Sequence, residues 1–348
     1  MRDKTLQSTC MAVALILTPL FAGAQENEPL RLDDTTTEPQ KVRNHGSQGM
    51  LLKADSTIGD ILDHPAFSGF ARQILPWDGR SYDRSMSVND IGSLLPYHSH
   101  VEPGTVVGAL NHMIRDANSG KIIFYDIYTE AEKRAQPAKE NTGLFFFRGK
   151  PGAPFAVVAP GGGFAYVGSV HEGFPYALDI NSRGYNAFVL KYRTGQGGRI
   201  ATEDLATAVS FIVRNAATLE VGTEDYSLWG SSAGARMAAF IGSYGVAAFN
   251  GDNIPKPSAV VIAYTAHADT SSDEPPTFAV VGEQDGIAPP SSMESRVAAL
   301  HRSGTPVEFH RYPNVGHGFG TGRGTSADGW IRDAVWFWER HMKYRMSK

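Results

Sequence analysis

The sequence predicts an α/β fold: a mostly parallel central sheet with helices on both faces, preceded by an irregular N-terminal extension. Three observations carry that expectation. From Lys121 onward, short apolar runs alternate with longer helical stretches, as strands joined by crossover helices do. Several runs are apolar throughout rather than at every second residue, which suits strands buried on both faces. One run, ending at Trp229, leads through a glycine-flanked serine into an alanine-rich stretch. With 348 residues, 42% hydrophobic and 20% charged, the chain has core material for one large α/β domain or two small ones. A formal net charge of −4 offers no basic field for a phosphate backbone, so nucleic acid is not an expected partner.

Residues 1–24 read as a signal peptide. Arg2 and Lys4 precede the apolar run from Met11 to Phe21, and Ala22-Gly23-Ala24 supplies small residues in an A-x-A arrangement, with cleavage expected after Ala24. The run falls short of the roughly 20 apolar residues that a membrane-spanning helix needs. A secreted or periplasmic protein is expected, with no stable membrane insertion. Cys10, the single cysteine, lies in the leader and before its apolar run, the wrong side for lipid attachment. The mature chain would hold no thiol, which excludes a cysteine nucleophile and cysteine-based metal sites. Residues 25–49 are polar, with Thr35-Thr36-Thr37 and two prolines, and read as a flexible linker.

Residues 50–120 form the extension. Short helical pieces, such as that around Ile58 to Phe70, are broken by the turn signals Pro76-Trp77-Asp78-Gly79 and Glu102-Pro103-Gly104. The segment is too broken for an independent domain and is expected to pack on the main body. Its aromatic and histidine residues, among them Phe67, Phe70, Trp77, Tyr97, His98, His100 and His112, leave two readings open. It either shapes a pocket on the functional face or pads the sheet edge. His98-Ser99-His100 comes with no signalled third ligand, so no metal is expected.

Residues 121–348 form the main domain. Strands are expected at 122–128, 144–147, 155–159, 187–192, 227–229, 260–264, 278–281 and 307–312. Helices are expected at 174–182, 202–217, 232–244, 291–302 and 327–341. The earliest strands lack intervening helices, so an antiparallel start is expected. Asp204 is read as a charge at a helix N-terminus.

The sharpest local signal is Gly230-Ser231-Ser232-Ala233-Gly234, a G-x-S-x-G at a strand–turn–helix junction. The tight turn forces its central residue into a strained backbone and projects the Ser232 hydroxyl at a helix N-terminus. Ser231 competes as nucleophile, but the glycine spacing selects Ser232. A serine needs a base to take its proton. His317, in Val315-Gly316-His317-Gly318-Phe319 just after a strand, is the candidate, on a glycine-flanked loop free to reach the serine. The acid is expected between the two in the chain. Asp285, in Gly282-Glu283-Gln284-Asp285-Gly286 past a strand end, fits that place; Glu283 is expected still in the strand end, and Asp269 and Asp273 in solvated loops. Pro160-Gly161-Gly162-Gly163-Phe164 follows an apolar strand, and the N–H groups of Gly162, Gly163 and Ala233 are the expected oxyanion donors. No Gly-Lys-Ser/Thr follows the glycines and no G-x-G-x-x-G opens a helix, so neither a P-loop nor a dinucleotide site is expected. Arg236, on the helix of the serine, is expected in a structural ion pair with a buried acid rather than, as the alternative, in contact with substrate.

Taken together, Gly-Gly-Gly-Phe, Gly-Ser-Ser-Ala-Gly, Gly-Glu-Gln-Asp and Gly-His-Gly-Phe resemble the α/β-hydrolase superfamily over about residues 140–343. The resemblance is to its bacterial esterase/lipase-like members, relatives of feruloyl and acetylxylan esterases and of dienelactone-hydrolase-like proteins. Pro160 stands where hormone-sensitive-lipase-like members carry histidine, and Ser232 where a true dienelactone hydrolase carries cysteine. The resemblance implies a carboxylesterase-type serine hydrolase without a cofactor, acting on small or glycan esters such as acetylated or feruloylated ones. It leaves open a serine peptidase of the prolyl-oligopeptidase kind, which normally carries a propeller for which this chain has no room, and an acyltransferase on the same core. A catalytically inactive binding module is the least expected, because every catalytic element is intact.

Overall fold

The computed structural model describes residues 49–343, all within one compact unit, Pro39–Lys348. The leader, and all of the linker except Gly49, lie outside the described residues.

Among the described residues, eight strands form one sheet: β1 (Phe124–Tyr125), β2 (Gly143–Phe147), β3 (Pro154–Ala159), β4 (Asn186–Lys191), β5 (Gly222–Ser231), β6 (Ala259–Ala263), β7 (Thr277–Gly282) and β8 (Val307–Tyr312). Their order is β1-β2-β4-β3-β5-β6-β7-β8. β2 runs antiparallel to both β1 and β4, and the remaining pairs are parallel. Every residue of β3, β4, β6 and β7 is buried, which is why these strands read as largely apolar runs, with polar residues only at their ends. The helices Phe174–Ser182 and Trp330–His341 pack against each other, and Gly197–Arg214 packs against Ala233–Tyr244. The chain moves outward from β3 to β4, then crosses back to β5 on the other side of β3. That reversal opens a crevice past the carboxyl ends of β3 and β5, the ordinary ligand position in open α/β sheets.

β5 is longer than the expected 227–229, and among the other boundaries that differ from expectation two have clear physical reasons. β1 keeps only two residues of the expected 122–128. Past it, Asp126 pairs with Lys133 at 2.7 Å, and Thr129 and Glu132 form a capping box that starts the helix Glu130–Ala135. The helix expected at 202–217 spans Gly197–Arg214 instead. Asp204 is therefore not an N-terminal charge but a fully buried residue inside the helix. Its carboxylate accepts from Arg193 Nη2 at 2.6 Å, from the Arg193 backbone N–H at 2.7 Å and from the Tyr128 hydroxyl at 2.5 Å. The ion pair ties the helix to the second residue past β4.

The extension shares the core of the sheet. Phe70 stacks on Phe124 at 4.6 Å, Phe124 meets Phe145 at 4.9 Å, and Phe145 meets Phe174 at 4.8 Å. A second anchor is polar. Lys191, fully buried at the end of β4, donates to the carbonyls of Leu75 and Pro76 at 3.2 and 3.1 Å and pairs with Asp78 at 3.0 Å. The region also holds a long helix, Pro103–Asn118, where only short pieces were expected. It packs on the helix Phe174–Ser182.

Candidate active site

β5 ends at Ser231 and the next helix starts at Ala233, so Ser232 is the single residue that turns the chain. Its backbone sits at φ 50°, ψ −112°. A non-glycine residue there stores on the order of 1–3 kcal/mol of strain, which the surroundings must hold. They hold it by contact. A Cβ on Gly234 would lie 1.9 Å from the Ala159 carbonyl oxygen, and one on Gly230 would lie 2.3 Å from that of Gly234. Both positions therefore require glycine. The rival Ser231 is buried, and its hydroxyl donates to Tyr176 at 3.1 Å.

His317 Nε2 lies 2.9 Å from Ser232 Oγ, and its Nδ1 lies 2.8 Å from Asp285 Oδ2. The other oxygen, Asp285 Oδ1, accepts the N–H groups of Ile287 at 2.9 Å and Ala288 at 2.7 Å. An acceptor-only carboxylate at Nδ1 fixes the tautomer with its proton there. Nε2 is then left to accept from the serine. Glu283, expected in the strand end, stands one residue past it, exposed and 3.7 Å from Arg311.

The glycine turn after β3 has three successive residues at positive φ, Gly162, Gly163 and Phe164. Among the described residues, no carbonyl or side chain accepts the N–H of Gly162, Gly163 or Ala233. Gly161 differs: its N–H donates to Glu172 Oε2 at 2.6 Å. Glu172 is fully buried in a π-helical turn, Ser169–Gly173, and was not singled out in the sequence. Its local signal is slight, an acid two residues before the apolar helix start at Phe174. Burial pushes its pKa up, but His98, His171 and the Tyr264 hydroxyl more than offset that and hold it well below the ordinary carboxylate range.

A cavity of about 460 Å³ opens beside Ser232, lined by Phe164, Arg236, His267, Asp269 and Ile287 among others. Arg236 makes no ion pair among the described residues; its guanidinium lies 5.3 Å from the Phe240 ring. The ion pair expected of it is absent, and a free cation borders the cavity instead. Of the His98-Ser99-His100 run, the His98 side chain is buried against Glu172, while His100 is exposed.

Two buried imidazoles set an acid limit on stability. Burial first, and then His98, push the pKa of His171 down from 6.5 to about 4. Burial and then Arg296 push His267 down to about 4 as well. Between those values an unfolded chain binds protons that the folded chain does not. The stability these rings contribute is thus present above pH 6.5 and is lost as the pH falls toward 4. Thermal unfolding followed from neutral pH into that window should show a declining midpoint, with a smaller decline in His171→Asn. An equal decline in the variant would contradict the assignment.

Comparison with known proteins agrees with this architecture. A family model described as BD-FAE matches residues 148–265, and that of the prolyl oligopeptidase family matches residues 247–345. The chain is 27% identical over 218 residues to endo-1,4-beta-xylanase B of Butyrivibrio fibrisolvens, covering 50% of this chain and 34% of that protein. It is 24% identical over 207 residues to an acetylxylan esterase of Xylanibacter ruminicola, covering 51% of this chain and 43% of that one. The chain thus spans less than half the length of either relative. Among solved structures, the acetyl ester-xyloside bifunctional hydrolase from Caldicellulosiruptor lactoaceticus superimposes with a TM-score of 0.51 at 22% identity, over 57% of this chain and 88% of that one. Among the described residues no helix is long and apolar enough to cross a membrane. The strand order, the strained serine between β5 and its helix and the likeness to solved structures lead to one conclusion: the chain has the α/β-hydrolase fold, and it is similar to esterase-type proteins of that fold.

Proposed function

We propose that the protein is a serine carboxylic-ester hydrolase acting on short-chain acyl esters, such as acetylated or feruloylated glycans or small esters. One observation supports this reading most: His317 lies within hydrogen-bond reach of both Ser232 Oγ, at 2.9 Å, and Asp285 Oδ2, at 2.8 Å. Ser232 attacks the ester carbonyl while His317 Nε2 takes its proton. The oxyanion is held by the N–H groups of Gly162, Gly163 and Ala233, the last at the positive end of a helix. His317 then protonates the leaving alcohol, and the acyl group stays on Ser232. A water, deprotonated by His317, attacks the acyl-enzyme; the acid departs and the serine recovers its proton. Asp285 stabilises the imidazolium in both halves. No organic cofactor or metal takes part in these steps. The open cavity, with Arg236 and Asp269 on its rim, suits a hydroxylated leaving group better than a long acyl chain.

The test is hydrolysis of p-nitrophenyl esters from acetate to palmitate, with acetylated and feruloylated xylo-oligosaccharides alongside. Short esters should be cleaved and palmitate should not. A preference for palmitate would contradict the acyl-length reading. A second reading, a peptidase on the same core, draws on the match of residues 247–345 to the prolyl oligopeptidase family. Cleavage of a proline p-nitroanilide with no ester turnover would favour it.

A further inference from the structure

The tripeptide Tyr97-His98-Ser99 belongs to the extension, outside the residues that either family model matches. It nevertheless holds both loops that serve Ser232. On the glycine-turn side, His98 Nε2 lies 3.1 Å from Glu172 Oε1, and the His98 side chain is 2% exposed. The Glu172 carboxylate accepts the N–H of Gly161, next to Gly162, and the Tyr264 hydroxyl, both at 2.6 Å. The Tyr264 ring in turn stands edge-on to the His317 imidazole, with centroids 5.1 Å apart. His98 Nδ1 meets the Tyr166 hydroxyl at 2.8 Å, that hydroxyl accepts the Tyr97 N–H at 3.1 Å, and Tyr166 N–H donates to the Gly162 carbonyl at 3.2 Å.

On the histidine side, the Ser99 hydroxyl donates to the His317 carbonyl at 2.8 Å, and the Ser99 N–H to the Gly318 carbonyl at 2.9 Å. His171 Nε2 donates to the same Gly318 carbonyl at 3.0 Å. The fit has no slack: a Cβ on Gly318 would lie 2.5 Å from the Tyr97 carbonyl oxygen.

Physical requirements give these contacts a task. A turn built on glycines at positive φ has little stiffness of its own. Oxyanion donors act only when they are aimed before the charge develops. The base must also stay within about 3 Å of the nucleophile, and small misplacements are costly in rate. The two loops come from opposite ends of the main domain, and neither is stiffened by regular structure. A buried carboxylate, by contrast, is held firmly by the donors that satisfy it. Those of Glu172 come from the glycine turn, from the residue after β6 and from the extension.

We propose that residues 97–99 form a clasp that positions the glycine turn and the His317 loop for attack by Ser232, with Glu172, His98 and Ser99 as its positioning residues. The clasp rests on the serine-hydrolase reading above. It gives the extension a catalytic purpose besides covering the sheet edge.

The full chain is compared with Ser99→Ala, Glu172→Gln, His98→Ala and His98→Gln in three readouts: p-nitrophenyl acetate kinetics, the rate of fluorophosphonate labelling at Ser232, and thermal unfolding. Ser99→Ala removes one hydroxyl donor at a partly exposed position and leaves the backbone bond in place, so it preserves the fold. It should lower kcat by about 10-fold, and Glu172→Gln by about 10- to 100-fold, with KM within about threefold of wild type. Labelling should slow in parallel. His98→Gln, which keeps an N–H donor for Glu172, should recover most of the rate lost in His98→Ala. Lower unfolding temperatures with wild-type kcat and wild-type labelling would reduce the tripeptide to packing and overturn the proposal. Labelling reads the clasp even where the wild type cleaves no ester: slower labelling in the variants supports it, equal labelling overturns it. A wild type that neither cleaves esters nor labels overturns both the clasp and the hydrolase reading.

Discussion

Ser232→Ala is expected to lower kcat for short esters by about 10⁵-fold or more, His317→Ala by a similar factor, and the double variant no further. The non-additivity follows from the geometry. The imidazole, 2.9 Å from Ser232 Oγ, has nothing to deprotonate once the hydroxyl is gone, and the hydroxyl has no base once the ring is gone. The acid gives a sharper test. In Asp285→Asn the Ile287 and Ala288 N–H groups, 2.9 and 2.7 Å from Oδ1, keep the amide oxygen on their side. The amide nitrogen then faces His317 Nδ1, and two donors cannot meet. The ring adopts the other tautomer, Nε2 carries the proton, and it no longer accepts from Ser232. A loss of about 10⁴-fold is expected without loss of fold. Ser231→Ala should stay near wild type, because that hydroxyl is committed to Tyr176. Steady-state kinetics of these variants, with circular dichroism as the fold control, checks the set. Purely additive losses would remove Ser232 and His317 from a common step.

The largest expected effect on stability lies away from the site. Asp204→Ala leaves the Arg193 guanidinium, 4% exposed, and the Tyr128 hydroxyl without their buried acceptor. Removing one partner of a buried pair costs about 3–5 kcal/mol, because the remaining charge stays desolvated. For a chain of this size that corresponds to a fall of the unfolding midpoint on the order of 10 °C. Replacing both partners, as in Arg193→Met with Asp204→Leu, removes the stranded charge and should recover much of the loss. Urea unfolding of the single and double variants separates the two cases. A single variant within about 1 kcal/mol of wild type would mean that Arg193 finds water or another acceptor.

What could be read from the sequence was what local chemistry dictates. Strands β3, β4, β6 and β7 are short, largely apolar runs bounded by turn residues, so pattern alone locates them. Ser232, His317 and Asp285 each sit in a short glycine-rich motif just past a strand, and their chain order limits the choice. Geometry then brings the three within hydrogen-bond reach. What escaped depends on partners distant in sequence. Glu172 has no motif; it matters because Gly161, Tyr264 and His98 converge on it. Asp204 was misplaced because Gly197-Gly198 reads as loop, although the helix begins there. The helix Pro103–Asn118 did carry a signal, a proline at its start and Val106, Leu110, Met113 and Ile114 on its buried face. The turn residues Glu102-Pro103-Gly104 at its start mask that signal. Of the two readings of the extension, sheet-edge padding is met by Phe70 on Phe124; pocket shaping is not, because the residues lining the cavity beside Ser232 all lie outside 50–120, although Ser99 reaches the His317 carbonyl.

The most direct test of the central claim is covalent. A fluorophosphonate reacts with a serine only where a base and oxyanion donors activate it, whatever ester the pocket prefers. Treated protein, digested and mapped by mass spectrometry, should carry one adduct, on Ser232, and none in His317→Ala. An adduct on Ser231, or an unmodified chain under conditions that label a control serine esterase, would contradict the account.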